Sequence, residues 1–98
     1  MSTSEVVLDR ETVLSDLIGC IAKILGEDTV AILKVSGDTS IFIELGMTSL
    51  DLIQLLELID EIYPASNALV GWIADQPSSA LPHLTLGQAA DVIYHVVG

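Results

Sequence analysis

Apolar residues in this chain recur every three to four positions in three separate stretches, and strand-like alternation persists in none of it. That period restricts the fold to helices packed through apolar stripes. The first stretch runs from Asp9 or Thr12 to Leu25. Val13, Leu14, Leu17, Ile18, Ile21 and Leu25 share one side, and Gly26 supplies a stop. The second begins near Ser49 and ends about Tyr63, because Pro64 lacks the N–H needed to continue. Leu52, Leu55, Leu56, Ile59 and Tyr63 share its apolar face. The third runs from about Leu86 to Val97, with Thr85 and Gln88 at capping-box spacing and Leu86, Ala89, Ala90, Ile93 and Val97 facing inward. A shorter helix is expected over Ala68–Gln76 with Asn67 as its cap and Leu69, Trp72 and Ile73 on its apolar side. Pro77, Ser78, Ser79 and Pro82 read as loop.

The expected fold is therefore all-α: a small bundle of three main helices plus a short one, in a single domain over residues 1–98. Residues 1–8 are expected to form a flexible N-terminal segment. A long loop, Glu27 to Thr48, joins the first two main helices, and connections of that length inside a small domain are often functional. Within it Val30–Val35 is a short apolar run with no strand to pair with.

Fourteen acidic residues face three basic ones, a formal charge of -11. Nucleic-acid affinity is built from lysine and arginine contacts to phosphate, so this surface excludes that partner class. It favours basic patches on other proteins instead. Half the residues are hydrophobic, 51%, which separates the chain from disordered acidic tails. A single cysteine, Cys20, cannot form an internal disulfide and falls inside an apolar stripe, where a thiol packs as a small hydrophobe. The start, "MSTSEVVLDRE", has neither a basic region nor a long apolar run, and no apolar run is long enough for a membrane span. A cytoplasmic monomer is the expectation.

Catalytic constellations are nearly absent. His83 lies in a proline-containing loop, and His95 sits near a helix C-terminus, where the dipole accounts for it. One cysteine and two distant histidines make no zinc site. No calcium loop or glycine-rich phosphate cradle appears, and the many carboxylates contain no distinguishable catalytic pair. Ser49 stands out for a different reason. Thr48 and Asp51 have the spacing of a helix-capping pair, which leaves the Ser49 hydroxyl free at the first helical position. A phosphate ester there would sit at the positive end of the helix dipole. On local chemistry alone, a plain cap or surface serine is the commoner reading.

The wider stretch "SIFIELGMTSLDLIQLLELIDEIY" closely resembles the central motif of acyl carrier proteins. Ile41, Glu44, Leu45, Gly46, Ser49 and Leu50 take the places of that family's apolar residue, acid, Leu-Gly and Ser-Leu. Leu52, Ile53, Leu55, Ile59 and Tyr63 continue its apolar spacing. "LTLGQAADVIYHV" is similar to its last helix. The resemblance implies that Ser49 receives 4′-phosphopantetheine from coenzyme A through a separate phosphopantetheinyl transferase. It implies that the arm's thiol carries acyl groups as thioesters. The missing base beside Ser49 then has an explanation, since a carrier does not activate its own serine and is not itself an enzyme. The partners implied are the transferase and an acyl-loading enzyme, synthase or acyltransferase with a basic docking patch. By position the docking face is Thr48, Leu50, Asp51, Ile53, Gln54, Glu57, Asp60 and Glu61.

Two departures from the family pattern point away from housekeeping fatty-acid synthesis. Thr48 stands where an aspartate usually precedes the serine. "ALVGWI" replaces what is often an acidic segment. Both suit polyketide or other secondary metabolism. A peptidyl carrier, an unmodified carrier-like interaction module and a small enzyme are the rival readings.

Overall fold

The structure, a computed structural model, describes residues 9–97. The expectation of a flexible segment over residues 1–8 lies outside them. The described chain forms five α-helices. Helix α1 spans Arg10–Leu25, α2 Glu27–Leu33, α3 Ser49–Ile62, α4 Ser66–Asp75 and α5 Leu86–Val97. A 3-10 turn, Leu81–His83, precedes α5.

The three long stripes become α1, α3 and α5 with the boundaries their caps dictate. The Asp9 carboxylate accepts the Thr12 N–H at 2.8 Å, and that bond holds its pKa below the usual range. Thr48 and Asp51 exchange reciprocal bonds at the start of α3. Thr85 and Gln88 do the same at the start of α5. Helix α1 packs on α5, α2 and α3, while α4 lies against α5 and α3. Val13, Leu17 and Ile21 meet Leu55 and Ile59, Leu69, and Leu86, Ala90 and Ile93 in one core. Cys20 is buried among them, and burial pushes its thiol pKa up, so it packs as an inert hydrophobe.

Two elements differ from the expectation. The connection after α1 is not all loop, because Glu27–Leu33 forms α2. It buries none of its residues, and Ile32 and Leu33 point largely to solvent. A helix without a buried stripe leaves no periodic signal in sequence. Its end is set by Lys34, whose left-handed φ of 53° halts the helix. The second difference is α4, which starts at Ser66 rather than Ala68. Asn67 is not its cap; Ala65 occupies that position without a side-chain bond. The Asp60 carboxylate reaches across from α3 and accepts the Ser66 N–H at 3.3 Å, so a first-turn donor is satisfied from outside the segment.

The rest of the connection, residues 35–48, is pinned onto α5. Ile41 N–H donates to Leu84 C=O at 2.9 Å, Leu86 N–H to Thr39 C=O at 3.1 Å, and Gly87 N–H to Gly37 C=O at 2.8 Å. Ser40 and Thr85 make an isolated antiparallel bridge. Ser40 and Glu44 brace the turn reciprocally, each side chain accepting the other's N–H at 2.9 Å. Ile41, Leu45 and Met47 are thereby buried in the core.

At the other end of α3, the Tyr63 hydroxyl donates to Asp16 on α1. Burial, then the Asp16 bond and charge, push the phenol pKa up to about 12. The protonated form is the one the fold favours. Its contribution is therefore intact below the unfolded value of about 10 and is lost as pH rises through about 12. The stability difference between wild type and Tyr63→Phe should be about 1 kcal/mol at neutral pH. It should shrink across that alkaline window. Urea titrations at pH 8 and at pH 11.5 measure it, and a gap that widens with pH contradicts the assignment.

Candidate functional site

Gly46 has a left-handed φ of 61°, a conformation that glycine adopts without a Cβ penalty. The turn it makes leaves Leu45 and Met47 buried and Thr48, Ser49 and Leu50 exposed. Thr48 is the cap: its hydroxyl accepts the Asp51 N–H at 3.2 Å, and the Asp51 carboxylate accepts the Thr48 N–H at 3.1 Å. Ser49 is the first residue of α3. Its hydroxyl has no hydrogen bond to another described residue, and it stands at the positive end of a 14-residue helix.

Beyond Ser49, one exposed strip runs along α3. Leu50, Ile53, Gln54, Glu57, Asp60 and Glu61 are all solvent-facing at helical spacing. Leu50 and Ile53 are 64% and 53% exposed, large values for apolar side chains. The strip is graded: apolar near the serine, acidic further along. Glu57 lies about 12 Å along the axis from Ser49 at 1.5 Å per residue. Asp51 stands apart from it. It is half-buried, one turn before buried Leu55, and its carboxylate is committed to the capping box. Asp60 also holds the start of α4. Ile43, 62% exposed in the loop that leads to α3, adds a further apolar residue that sequence periodicity could not mark because it lies outside any helix.

Other candidate chemistry stays dispersed. His83 ends the 3-10 turn and His95 lies in the last turn of α5, both exposed. Among the described residues no group of histidine, cysteine and carboxylate side chains could hold a metal. No described helix is long and apolar enough to cross a membrane.

A family model described as a phosphopantetheine attachment site matches residues 15–66, more than half of the chain. The chain belongs to that family. The match spans most of α1, all of α2 and α3, and Ser49, the residue that follows the Thr48 cap. Comparison with curated proteins and with solved structures gives no match. A member of this family carries 4′-phosphopantetheine covalently, and the structure has room for it. Thr48, Ser49 and Leu50 are uncovered, the space beside Gly46 is open, and capping does not occupy the Ser49 hydroxyl. When attached, the group supplies a terminal thiol that can hold cargo as a thioester.

Proposed function

We propose that this phosphopantetheine carrier is an acyl carrier whose arm is attached at Ser49, and that it presents acyl thioesters to partner enzymes of polyketide or other secondary metabolism. One observation carries the assignment to Ser49. Thr48 and Asp51 complete the cap between themselves and leave an exposed hydroxyl, bonded to no other described residue, at the positive end of α3. The carrier's own residues hold and display this hydroxyl; its activation is left to the transferase. Thr48 in place of an acid and the apolar α4 support the specialised pathway over a housekeeping one. The chain acts as a monomer in the cytoplasm. Incubation with coenzyme A and a broad-specificity phosphopantetheinyl transferase tests the carrier reading. The intact mass should rise by one phosphopantetheine, and an unchanged mass would leave an interaction module instead.

The graded strip on α3 is the docking surface, with Leu50 and Ile53 as apolar contacts near the arm and Glu57, Asp60 and Glu61 facing a basic patch. Exposed charges contribute little to folding but govern encounter rates. Glu57→Lys combined with Glu61→Lys, which leaves the Asp60 bond to Ser66 in place, should weaken binding to the loading enzyme about tenfold at low ionic strength, with the deficit fading as salt rises. Helicity by circular dichroism should hold. Equal affinity of the two proteins at low salt would reduce the acidic coat to a solubility device.

A further inference from the structure

We infer that α2 and the groove beside it on α1 form a second docking surface, whose occupant is an amphipathic helix of a partner protein with an acidic polar face. This surface is separate from the arm at Ser49 and does not depend on it. Helix α2 buries none of its residues. Ile32 is 78% exposed, the most of any large apolar side chain among the described residues, and Leu33 beside it is exposed too. Where α1 gives way to α2, an open groove of ≈ 280 Å³ is lined by Gly19, Ala22, Lys23 and Glu27. Gly19 and Ala22 lie on the side of α1 turned away from buried Leu17, Cys20 and Ile21, so the groove is no part of the core.

Charge decides what fits there. The chain has three basic residues against fourteen acids. Arg10 is engaged with Asp91, whereas Lys23 and Lys34 are exposed and form no ion pair with a described residue. Lys23 lines the groove, and Lys34 caps α2 directly after Leu33. Both uncommitted cations therefore flank the apolar face of α2. On α3 the pattern is reversed, with Leu50 and Ile53 followed by Glu57 and Glu61. A basic patch suits α3; carboxylates suit α2. Two residues run against local helix chemistry, and a partner accounts for both. Gly19, in the middle of α1, weakens the helix relative to alanine. Nothing within 4 Å would meet a Cβ there, so the fold itself does not require a glycine. Bare backbone at that point lets a second helix approach closely. Lys34 holds a left-handed φ of 53°, where glycine or asparagine is less strained, and so keeps a cation at the end of the apolar face. A partner helix would cover Ile32 and Leu33 with its apolar stripe and set its carboxylates on Lys23 and Lys34. Glu27, the one carboxylate in the lining, repels an acid placed against it and so fixes the register.

Two amphipathic helical peptides with the same leucine face, one with glutamates and one with lysines on the other face, serve as probes. Each is titrated into the isotope-labelled, unmodified protein at about 0.15 M salt, which screens repulsion from the acidic coat, and amide shifts are read by NMR. Because no arm is needed, a failure of pantetheinylation leaves these readouts untouched. The glutamate peptide should move Gly19, Lys23, Ile32, Leu33 and Lys34, and the lysine peptide should move Leu50, Ile53, Glu57 and Glu61. Lys23→Glu combined with Lys34→Glu should weaken the glutamate peptide about tenfold and leave the lysine peptide on α3 unchanged. Gly19→Gln fills the groove with a better helix former, so it should raise the unfolding temperature while weakening the glutamate peptide about tenfold. A glutamate peptide that moves α3 instead, or neither surface, overturns the proposal. So do two peptides that settle on α2 equally, or either variant binding the glutamate peptide as tightly as wild type. A Gly19→Gln protein less stable than wild type also overturns it, since the fold would then require the glycine.

Discussion

Ser49→Ala should abolish pantetheinylation completely while the protein keeps its helices. The two halves of that result have separate physical causes. Modification is lost because the hydroxyl that the carrier reading assigns to the arm, exposed at the first position of α3, is removed. Thr48 has the neighbouring one, but its oxygen accepts the Asp51 N–H at 3.2 Å and it precedes the helix. The fold survives because capping is done by Thr48 and Asp51, and Ser49 makes no side-chain bond to another described residue. Alanine is also a better helix former than serine. Stability should therefore stay within about 0.5 kcal/mol of wild type, as for exposed substitutions that remove no specific interaction. Intact-protein mass spectrometry after exposure to coenzyme A and transferase reads the first half, and thermal unfolding reads the second. An adduct that persists on the alanine variant would place the arm elsewhere. A large loss of stability would show that Ser49 supports the helix after all.

The legible parts of this protein are those whose physics is local. Leu52, Leu55, Leu56 and Ile59 announce α3 by their spacing, Thr48 and Asp51 mark its start, and Pro64 marks where it must end. The candidate site inherits that clarity, since Ser49 is defined by the same cap. What sequence periodicity could not show is whatever depends on residues far apart. Helix α2 hides no stripe, so "VAIL" reads as featureless. The start of α4 is supported by Asp60, six residues before Ser66, and Asn67 looked like the cap only because that contact is tertiary. Asp51 shares the acidity of the exposed strip on α3 but not its direction, because the capping box turns it back toward the loop. Tyr63 fits an apolar face in sequence, while its hydroxyl serves a bond to Asp16 that no spacing rule contains.

Gly87→Ala should destabilise the protein, against the direction that helix propensity predicts. Gly87 is the second residue of α5, where alanine would ordinarily gain about 1 kcal/mol over glycine. Here the backbone of the long connection lies directly on it. A Cβ at Gly87 would stand 2.9 Å from the Gly37 carbonyl oxygen and 2.6 Å from Nη2 of Arg10. The arginine tip is flexible and can swing away, although doing so disturbs its ion pair with Asp91. The Gly37 oxygen cannot, because it accepts the Gly87 N–H at 2.8 Å. Relief requires the connection to lift from α5. That motion strains the adjacent bonds from Leu86 to Thr39 and from Ile41 to Leu84, and it loosens the packing of Ile41 in the core. Overpacking of this kind costs about 1–3 kcal/mol, enough to exceed the propensity gain. The same connection delivers Leu45 and Met47 to the core immediately before Ser49, so looser packing there should also slow arm attachment. Urea unfolding of the variant gives the stability, and the initial rate of transferase modification gives the coupling to the site. A Gly87→Ala protein as stable as wild type, modified at the same rate, would mean that the contact between residues 37 and 87 is soft and that the loop is held to α5 by other means.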